Sequence, residues 1–305
     1  MEILNQLRTL KNQYPNITVA LGTFDGVHVG HQEVISRSVE LAKQTDGTSV
    51  VFTFSNHPLS ILAPERCPLQ IITQDEKAEL IKDLGVDILL NIPFTTGLLQ
   101  LSAMQFIHLL VEHLGPKHIL IGPNFFFGYN RCGTPELLQQ AGVQHGFITE
   151  INRTVYVNDI MVSSTLIRQL IAAGRVDEAA TFLGRLVAIK GKVAHGAKRG
   201  RLLGYPTANL KIEPGLVIPQ NGVYAVQLVI QNHQYDGIAN VGTNPTFNDI
   251  ERRIEVHILD FSGDLYGELV TVRFLKYIRK ECTFPNAEEL KQQIAKDIAH
   301  AQDYY

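Results

Sequence analysis

Short apolar runs alternate with amphipathic stretches throughout the first half of the chain. Four runs rich in apolar and β-branched residues predict buried strands, at 17–21, 48–54, 87–90 and 117–121. Three longer stretches carry apolar side chains at helical spacing and predict helices, at 32–43, 75–84 and 102–114. Strands that alternate with helices are typical of a parallel sheet covered on both faces, with ligands at the carboxyl ends of its strands. The first half is therefore predicted to be an α/β domain with a parallel sheet.

The pattern changes in the middle of the chain. A helix predicted over 176–183 is ended by Gly184, and beyond it strand-like runs follow one another with little helix between them. Glycine, proline and asparagine clusters separate these runs, which lie at 186–193, 223–230, 235–240, 253–259 and 269–274. Such a pattern predicts an antiparallel β-barrel, and the amphipathic stretch 286–301 predicts one helix on its outside. We expect two domains, 1–184 and 185–305.

Composition and charge narrow the class of protein. The 305 residues exceed what one hydrophobic core usually serves, and 45% hydrophobic with 19% charged residues is ordinary for a soluble globular protein. A formal net charge of −3 gives no support to nucleic-acid binding, and three scattered cysteines are too few for a disulfide framework or a zinc site. The first residues do not resemble a signal peptide, and every apolar run is interrupted short of a membrane span. We expect a cytoplasmic protein with no nucleic-acid or membrane partner, and the oligomeric state stays open.

The turn between the strand at 17–21 and the helix after it carries the strongest chemical signal. Residues 22–31 read Gly-Thr-Phe-Asp-Gly-Val-His-Val-Gly-His. A glycine-rich strand-to-helix turn gathers backbone N–H groups at the positive end of a helix dipole, which favours a bound anion such as a phosphate. His28 and His31 can each donate a hydrogen bond to phosphate oxygens, and Gly30 lets a ligand approach the backbone closely. The alternative is a tight turn whose histidines only cap the helix and face solvent.

Two further stretches of the first half lie where a nucleotide site would need them. Residues 122–133 follow a predicted strand and carry Asn124 and three consecutive aromatics, whose rings either pack in the core or stack on a flat ligand. Residues 163–168 open a predicted helix with serines and a threonine. These hydroxyls act either as helix caps or, with Arg168 one turn later, as a phosphate clamp.

Two stretches after the change of pattern carry candidate binding groups. Residues 191–201 begin as Gly-x4-Gly but continue with Ala197 instead of lysine, so they fail the P-loop pattern and predict a flexible basic loop. Thr207 and Asn209 offer neutral oxygens that suit a hard cation, although such residues occur more often in turns.

A predicted barrel strand carries a candidate general base. In an alternating strand Glu255 shares one face with Arg253 and His257, while Ile254 and Val256 share the other. A carboxylate on the polar face suits proton removal from a bound alcohol, and the alternative is a solvent-exposed strand glutamate. His257 is left without an assigned role.

These motifs together resemble one family. The motif at 22–31 and Ser-Ser-Thr-x-Ile-Arg at 163–168 are similar to the two signatures of FMN adenylyltransferases, and Pro-Thr-Ala-Asn at 206–209 is similar to the hallmark of riboflavin kinases. The whole chain resembles the prokaryotic bifunctional riboflavin kinase/FMN adenylyltransferase (FAD synthetase) family. This resemblance implies a Rossmann-like nucleotidyltransferase domain followed by a riboflavin kinase barrel, with ATP as co-substrate, Mg²⁺ as cofactor, and riboflavin, FMN and FAD as substrates and products. Asn56 departs from the family, which usually has Pro-His-Pro where residues 56–58 read Asn-His-Pro.

The resemblance also implies roles for individual residues. In the first domain His28 and His31 are catalytic, and the ATP-binding set is Gly22, Phe24, Asp25, His28, Gly30, His31, Asn124, Ser164, Thr165 and Arg168. In the barrel Glu255 is the general base, Thr207 and Asn209 hold Mg²⁺, and the ATP-binding set is Gly191, Lys192, His195, Gly196, Thr207 and Asn209. The flavin-binding set is Phe125, Phe127 and Arg279.

The sequence leaves two alternatives open. In the first alternative only one activity is retained, and the other half acts as a flavin-binding or regulatory module. In the second the chain is a noncatalytic flavin carrier, which would have no use for a His-x-Gly-His turn. Class I aminoacyl-tRNA synthetases use a similar turn, but the Lys-Met-Ser-Lys-Ser-like loop that they pair with it is missing from this sequence.

Overall fold

The computed structural model describes residues 1–194, 204–231, 233–245 and 250–305. Its contacts divide the chain into two compact units, Met1–Leu69 with Thr73–Ser163, and Gln70–Ile72 with Ser164–Tyr305. The change of sequence pattern predicts a boundary at 184/185, so pattern and contacts assign residues 164–184 differently.

The first unit is built on a parallel sheet. Its elements are β1 (Glu2–Leu4), β2 (Thr18–Leu21), α1 (Val29–Gln44), β3 (Ser49–Phe54), α2 (Leu59–Leu62), α3 (Gln74–Asp83), β4 (Ile88–Ile92), α4 (Thr96–Gln100), α5 (Ala103–His113), β5 (His118–Ile121), α6 (Pro135–His145), β6 (Ile148–Ile151), β7 (Tyr156–Val157) and β8 (Ile160–Met161). Six strands pair in the order β1-β4-β3-β2-β5-β6, and every pairing is parallel. The predicted α/β domain with a parallel sheet is confirmed. The elements without a counterpart in the prediction are β1, α2, α4, α6, β6, β7 and β8.

The order of the strands brings the candidate turns together. Strands β2 and β4 are buried at every position, which requires cover on both faces of the sheet. Strand β2 lies between β3 and β5. Because parallel strands end at the same edge, the turns that follow these three strands lie side by side along the carboxyl edge of the sheet.

The second unit is built on a closed barrel. Its elements are α7 (Ser164–Ala172), α8 (Val176–Leu183), β9 (Val187–Ala194), β10 (Thr207–Ile212), β11 (Gly222–Ile230), β12 (His233–Pro245), β13 (Ile250–Ile258), β14 (Leu269–Arg279) and α9 (Ala287–Ala301). Six antiparallel strands close in the order β10-β13-β12-β11-β14-β9. The predicted antiparallel barrel with an outer helix is confirmed, and β10 is the strand that the sequence pattern did not predict.

Helix α8 explains why contacts move the boundary. Its apolar residues Val176, Ala179 and Phe182 are buried, and the helix packs against β9 and β14. The Lys276 ammonium of β14 lies 2.6 Å from the Asp177 carboxylate of α8, and its hydrogen bond to Asp177 raises the pKa of Lys276. Helix α8 therefore packs as part of the barrel unit.

The two faces of the barrel strands have different residues. Along β10 and β13 the buried side chains, such as Leu210 and Val256, alternate with half-buried polar ones, such as Asn209 and Glu255. Helix α9 packs over β11 and β12, where it covers Ile238. Ile238 lies directly opposite His257, so its side chain is on the same face of the sheet as the polar set. The polar set therefore lies on the outside of the barrel. None of the helices in the described residues is both long and apolar enough to cross a membrane.

Candidate active sites

The turn between β2 and α1 is organised by a histidine that caps the helix. His28 is the N-cap residue of α1, with an extended backbone, and its Nδ1 atom accepts a hydrogen bond from the backbone N–H of His31 at 3.2 Å. An acceptor role for Nδ1 places the proton of a neutral imidazole on Nε2. Nε2 is then the ring atom that can donate a hydrogen bond to a ligand.

The two imidazoles form one stacked unit. The rings of His28 and His31 lie 3.5 Å apart, nearly parallel at 18°. Phe24 packs edge-on against His31 at 5.3 Å and lies over Gly22, where a Cβ atom would come within 2.8 Å of the Phe24 ring. Phe24 is 2% exposed, so it orders the turn from within. A Cβ atom at Gly30 would approach the His28 ring to 3.3 Å, which accounts for a glycine between the histidines.

The backbone of this turn is strained. Phe24 and Val27 have positive φ angles of 49° and 37°, and Gly26 has 84°. The left-handed region is disfavoured for residues with a Cβ atom, most of all for a β-branched one such as Val27. Each such residue costs on the order of 1–3 kcal/mol and persists only where the surrounding structure determines it fully.

The sequence analysis missed a buried lysine beside this turn. Lys77 of α3 is 3% exposed, and its ammonium donates to the Phe54 carbonyl at 2.7 Å and to Thr53 Oγ1 at 3.4 Å. Burial lowers the pKa of Lys77 to about 8, and the negative charge of Asp25 in the turn opposes this shift. The available signal was its spacing from the apolar Ile81, because residues four apart share one face of a helix.

The loops after β3 and β5 provide further groups along the same edge. Asn56 bonds to the backbone of Phe94 in both directions: Phe94 N–H donates to Asn56 Oδ1 at 2.7 Å, and Asn56 Nδ2 donates to the Phe94 carbonyl at 3.1 Å. This pair of hydrogen bonds anchors the loop at the position where the family usually has proline. After β5, Asn124 is exposed, whereas Phe127 is 6% exposed and packs against Phe106 in the core. Phe127 therefore has a packing role, and ligand contact by Asn124 and Phe125 stays a prediction.

The remaining predicted residues of the first site begin helix α7. Ser164, Thr165 and Arg168 occupy its first turns, with Thr165 exposed and the other two half-buried. Contacts place this helix in the second unit. Their role in binding ATP stays a prediction.

The barrel brings a second set of candidate residues together. Asn209 of β10 lies directly opposite Glu255 of β13, which in turn lies opposite Asn240 of β12. Thr207 lies opposite His257 in the same register. Side chains directly opposite each other on neighbouring strands point to the same face, with Cβ atoms about 4.5–5.5 Å apart. The candidate cation ligands and the candidate base therefore share one patch of the outer face.

Asn209 has an amide oxygen, Oδ1, that is buried without a hydrogen-bond partner within the described part of the chain, which suits a ligand-binding residue. A buried amide oxygen left without a partner costs about 1–3 kcal/mol, so a bound group that accepts its lone pairs would relieve this cost. Neutral oxygens such as this one suit Mg²⁺, which usually keeps several waters and takes further oxygens from phosphates. No group of three or more His, Cys, Asp or Glu residues forms a metal site among residues 1–194, 204–231, 233–245 and 250–305.

The predicted basic loop starts later than its sequence suggests. Gly191 and Lys192 lie inside β9, paired with β10 on one side and β14 on the other. This agrees with the strand run predicted at 186–193, so the overlapping loop prediction is wrong for residues 191–194. Gly191 allows a close approach of two strands, because a Cβ atom there would lie 2.9 Å from the Lys211 carbonyl. His195 and Gly196, the other two predicted phosphate-binding residues, lie outside the described residues.

Arg279, assigned to flavin binding by resemblance, is held by an ion pair. Its Nη2 atom donates to Oδ2 of Asp297 in α9 at 2.7 Å and its Nε atom to Oδ1 at 2.8 Å, and this hydrogen bonding raises the pKa of Arg279. Asp297 is 3% exposed and also accepts from Gln293 at 2.9 Å. Arg279 thus neutralises a buried carboxylate, and its contact with flavin stays a prediction.

Comparison with known proteins matches the two halves of the chain to two different family models. The family model described as FAD synthetase matches residues 10–166, and the one described as riboflavin kinase matches residues 183–305. A bifunctional riboflavin kinase/FMN adenylyltransferase from Pseudomonas fluorescens is 38% identical over 99% of this chain and 97% of its own length. The protein of that name from Escherichia coli K12 is 37% identical over 94% of this chain and 92% of its own.

A solved structure extends the likeness to the fold. A protein from Streptococcus pneumoniae described as a macrolide-efflux protein matches with a TM-score of 0.91 and 33% identity over all of both chains. Its description differs from the names of the sequence relatives, whereas both family models and the full-length relatives agree with each other. The chain belongs to the bifunctional riboflavin kinase/FMN adenylyltransferase family.

Proposed function

We propose that this chain carries out both reactions of its family, riboflavin phosphorylation in the barrel and FMN adenylylation at the parallel sheet. The observation that carries the proposal is that each half matches its own family model and holds its own set of polar groups: a stacked histidine pair at a helix N-terminus, and Asn209 beside Glu255 on the barrel. The protein then converts riboflavin to FMN and FMN to FAD, with ATP consumed in each step.

In the adenylyl transfer, a phosphate oxygen of FMN attacks the α-phosphorus of ATP. The bond from that phosphorus to the bridging oxygen of the β-phosphate breaks, and pyrophosphate leaves with the electron pair. His28 Nε2, His31 and the N-terminal N–H groups of α1 donate to the phosphate oxygens and stabilise the charge that develops on them. Two imidazoles stacked 3.5 Å apart repel each other when both are protonated, and the negative charge of a bound phosphate would offset that repulsion.

In the phosphoryl transfer, the terminal ribityl hydroxyl of riboflavin attacks the γ-phosphorus of ATP. Glu255 accepts the hydroxyl proton, and ADP leaves. Thr207 and the buried Oδ1 of Asn209 would hold Mg²⁺. When bound, the cation would neutralise charge on the phosphates of ATP. Lys192 is exposed at the end of β9 and supplies positive charge to the same side of the barrel.

The test is a time course with riboflavin and MgATP, followed by chromatographic separation of riboflavin, FMN and FAD. Wild type should form FMN and then FAD. His31→Ala should accumulate FMN. Glu255→Gln should slow FMN formation by about 10²–10⁴-fold while FMN supplied directly is still converted to FAD. FAD formation from FMN that is equally slow in both variants would contradict two separate sites, and a wild type that forms only one product would favour a single retained activity.

The Mg²⁺ assignment has its own test. Asn209→Ala should raise the Mg²⁺ concentration needed for half-maximal riboflavin phosphorylation, because one oxygen ligand is lost. Asn240→Ala is the matched control, since Asn240 lies on the other side of Glu255 and its Nδ2 atom donates to Glu281 at 3.4 Å. An equal shift in both variants would contradict the assignment to Asn209.

A further inference from the structure

Helix α3 directs a charged side chain into the interior of the first unit. A capping box starts the helix: Thr73 Oγ1 accepts from the Glu76 N–H at 3.2 Å, and the Glu76 carboxylate accepts from the Thr73 N–H at 2.9 Å. This start places Lys77 and Ile81 on the buried face, four residues apart. The Lys77 side chain reaches the end of β3, where its ammonium donates to the Phe54 carbonyl and to Thr53 Oγ1.

A chain of hydrogen bonds links this ammonium to the histidine turn. Thr53 Oγ1 accepts from Lys77 and donates to the Thr23 carbonyl at 2.9 Å. Thr23 lies in the turn between β2 and α1, next to the strained Phe24. Asp25 of the same turn is close enough for its charge to act on Lys77. Lys77 therefore contacts the carboxyl end of β3 directly and the turn through Thr53 and through charge.

Burial of this ammonium has a cost that packing alone does not explain. An isolated ammonium in a protein interior loses its hydration, and a methionine of similar length would fill the same space without that loss. The strained turn and the anionic ligands of this site are two features that a positive charge would favour. Strained residues need neighbours that hold them in place, and phosphates are stabilised by positive charge in surroundings of low dielectric.

We propose that Lys77 is a positioning residue for adenylyl transfer, whose ammonium holds the 22–28 turn against the end of β3 and adds positive potential where phosphates bind. This inference rests on the proposed adenylyltransferase function of the first unit. It assigns no contact between Lys77 and a substrate. Its effect passes through the turn that carries His28 and His31.

The inference predicts a pH dependence because only the protonated amine can do both tasks. With a pKa of about 8 in the free protein, Lys77 is mostly charged at neutral pH and loses its charge above about pH 8. Asp25 of the turn acts on Lys77 through its charge, β3 presents Thr53 Oγ1 and the Phe54 carbonyl, and Asn91 of β4 bonds to Gln74 of α3. Bound phosphates favour the charged form, so the alkaline fall should appear at lower pH in kcat/KM than in kcat.

The experiment compares full-length wild type, Lys77→Met, Lys77→Arg and Lys82→Met from about pH 6.5 to 9.5. Lys82 is the matched control, because it lies exposed on the same helix. The measured rate is FAD formation from FMN and MgATP, and riboflavin phosphorylation on each preparation checks that the chain is intact. Lys77→Met should lower kcat/KM for FAD formation about 10- to 100-fold at neutral pH, the size expected from a misplaced site. Lys77→Arg should keep activity at alkaline pH, and Lys82→Met should follow wild type.

Distinct outcomes separate failure of the inference from failure of the proposed function. The role of the Lys77 charge would be overturned if the wild-type rate showed no fall at alkaline pH, or if Lys77→Arg did not shift that fall to higher pH. This comparison does not require Lys77→Met to fold. A Lys77→Met variant with the profile of wild type would overturn it as well. A wild type that converts riboflavin to FMN but never FMN to FAD would overturn the adenylyltransferase function itself and the inference with it.

Discussion

Lys77→Met should also change how the stability of the first unit depends on pH. In the folded chain burial lowers the pKa of Lys77 from 10.5 to about 8, whereas the unfolded chain exposes the amine to water at its ordinary value. Between those two pH values the unfolded chain binds more protons than the folded one, so the free energy of unfolding rises with pH. Below about pH 8 both states are largely protonated and the cost of the buried charge is fully present.

The size of this effect follows from the two pKa values. At about 1.36 kcal/mol per pKa unit, the whole difference between the two pKa values raises the free energy of unfolding by about 3 kcal/mol. About 2–3 kcal/mol of this rise falls between pH 7 and pH 10. Methionine has no proton to release, so this rise is absent from the variant. The stability of the variant at one pH is less informative, because methionine also leaves the Phe54 carbonyl without its donor, at a cost of about 1–3 kcal/mol.

Urea unfolding of the full-length proteins at about pH 7 and pH 10, with calorimetry to separate the transitions of the two units, measures this difference. All other titrating groups are shared, so subtracting the variant from wild type isolates Lys77. Lys82→Met should behave as wild type, because Lys82 is exposed. Free energies of unfolding that change with pH by the same amount in wild type and in Lys77→Met would refute the reasoning.

Two other predictions concern the barrel unit. Arg279→Met should destabilise it by about 3–5 kcal/mol, because Asp297 is left buried without its partner. Adding Asp297→Leu should restore most of that stability in urea unfolding, and no recovery in the double variant would contradict the ion pair. A fragment 164–305 should unfold cooperatively and phosphorylate riboflavin, whereas a fragment 185–305 should melt at a lower temperature because it lacks the buried face of α8. Equal melting temperatures would mean that the boundary predicted from sequence is also the structural one.

Periodicity was sufficient to predict the elements whose burial is regular. The fully buried β2 and the strongly patterned α5 lie within one or two residues of their predicted bounds. Strand β10 was missed because its first residues, Thr-Ala-Asn, belong to types that also form turns, and the strand is defined by pairing with β9 and β13. Long-range pairing of this kind leaves no local signal.

The candidate sites show the same limit. The 22–31 motif identified the histidines, but their stacking and the hydrogen bond from His31 N–H to His28 Nδ1 depend on backbone angles that the sequence does not state. Lys77 was overlooked because a lysine in an amphipathic helix normally faces water. Gly191 was assigned both to the strand run at 186–193 and to the loop at 191–201, since a glycine in a strand and a glycine in a turn look alike until the neighbouring strand is known.

The alternation along β13 ties chemistry to folding in a way that restricts how this enzyme can change. Ile254 and Val256 are completely buried inside the barrel, and Glu255 between them points outward. A slip of one residue in register would put the carboxylate into the core and an isoleucine at the surface, so a slipped barrel would not be stable. The apolar positions therefore keep Glu255, the proposed base, on the outer face. Outward positions can be exchanged one at a time while the fold is kept, so new activities are more accessible to this barrel than new registers.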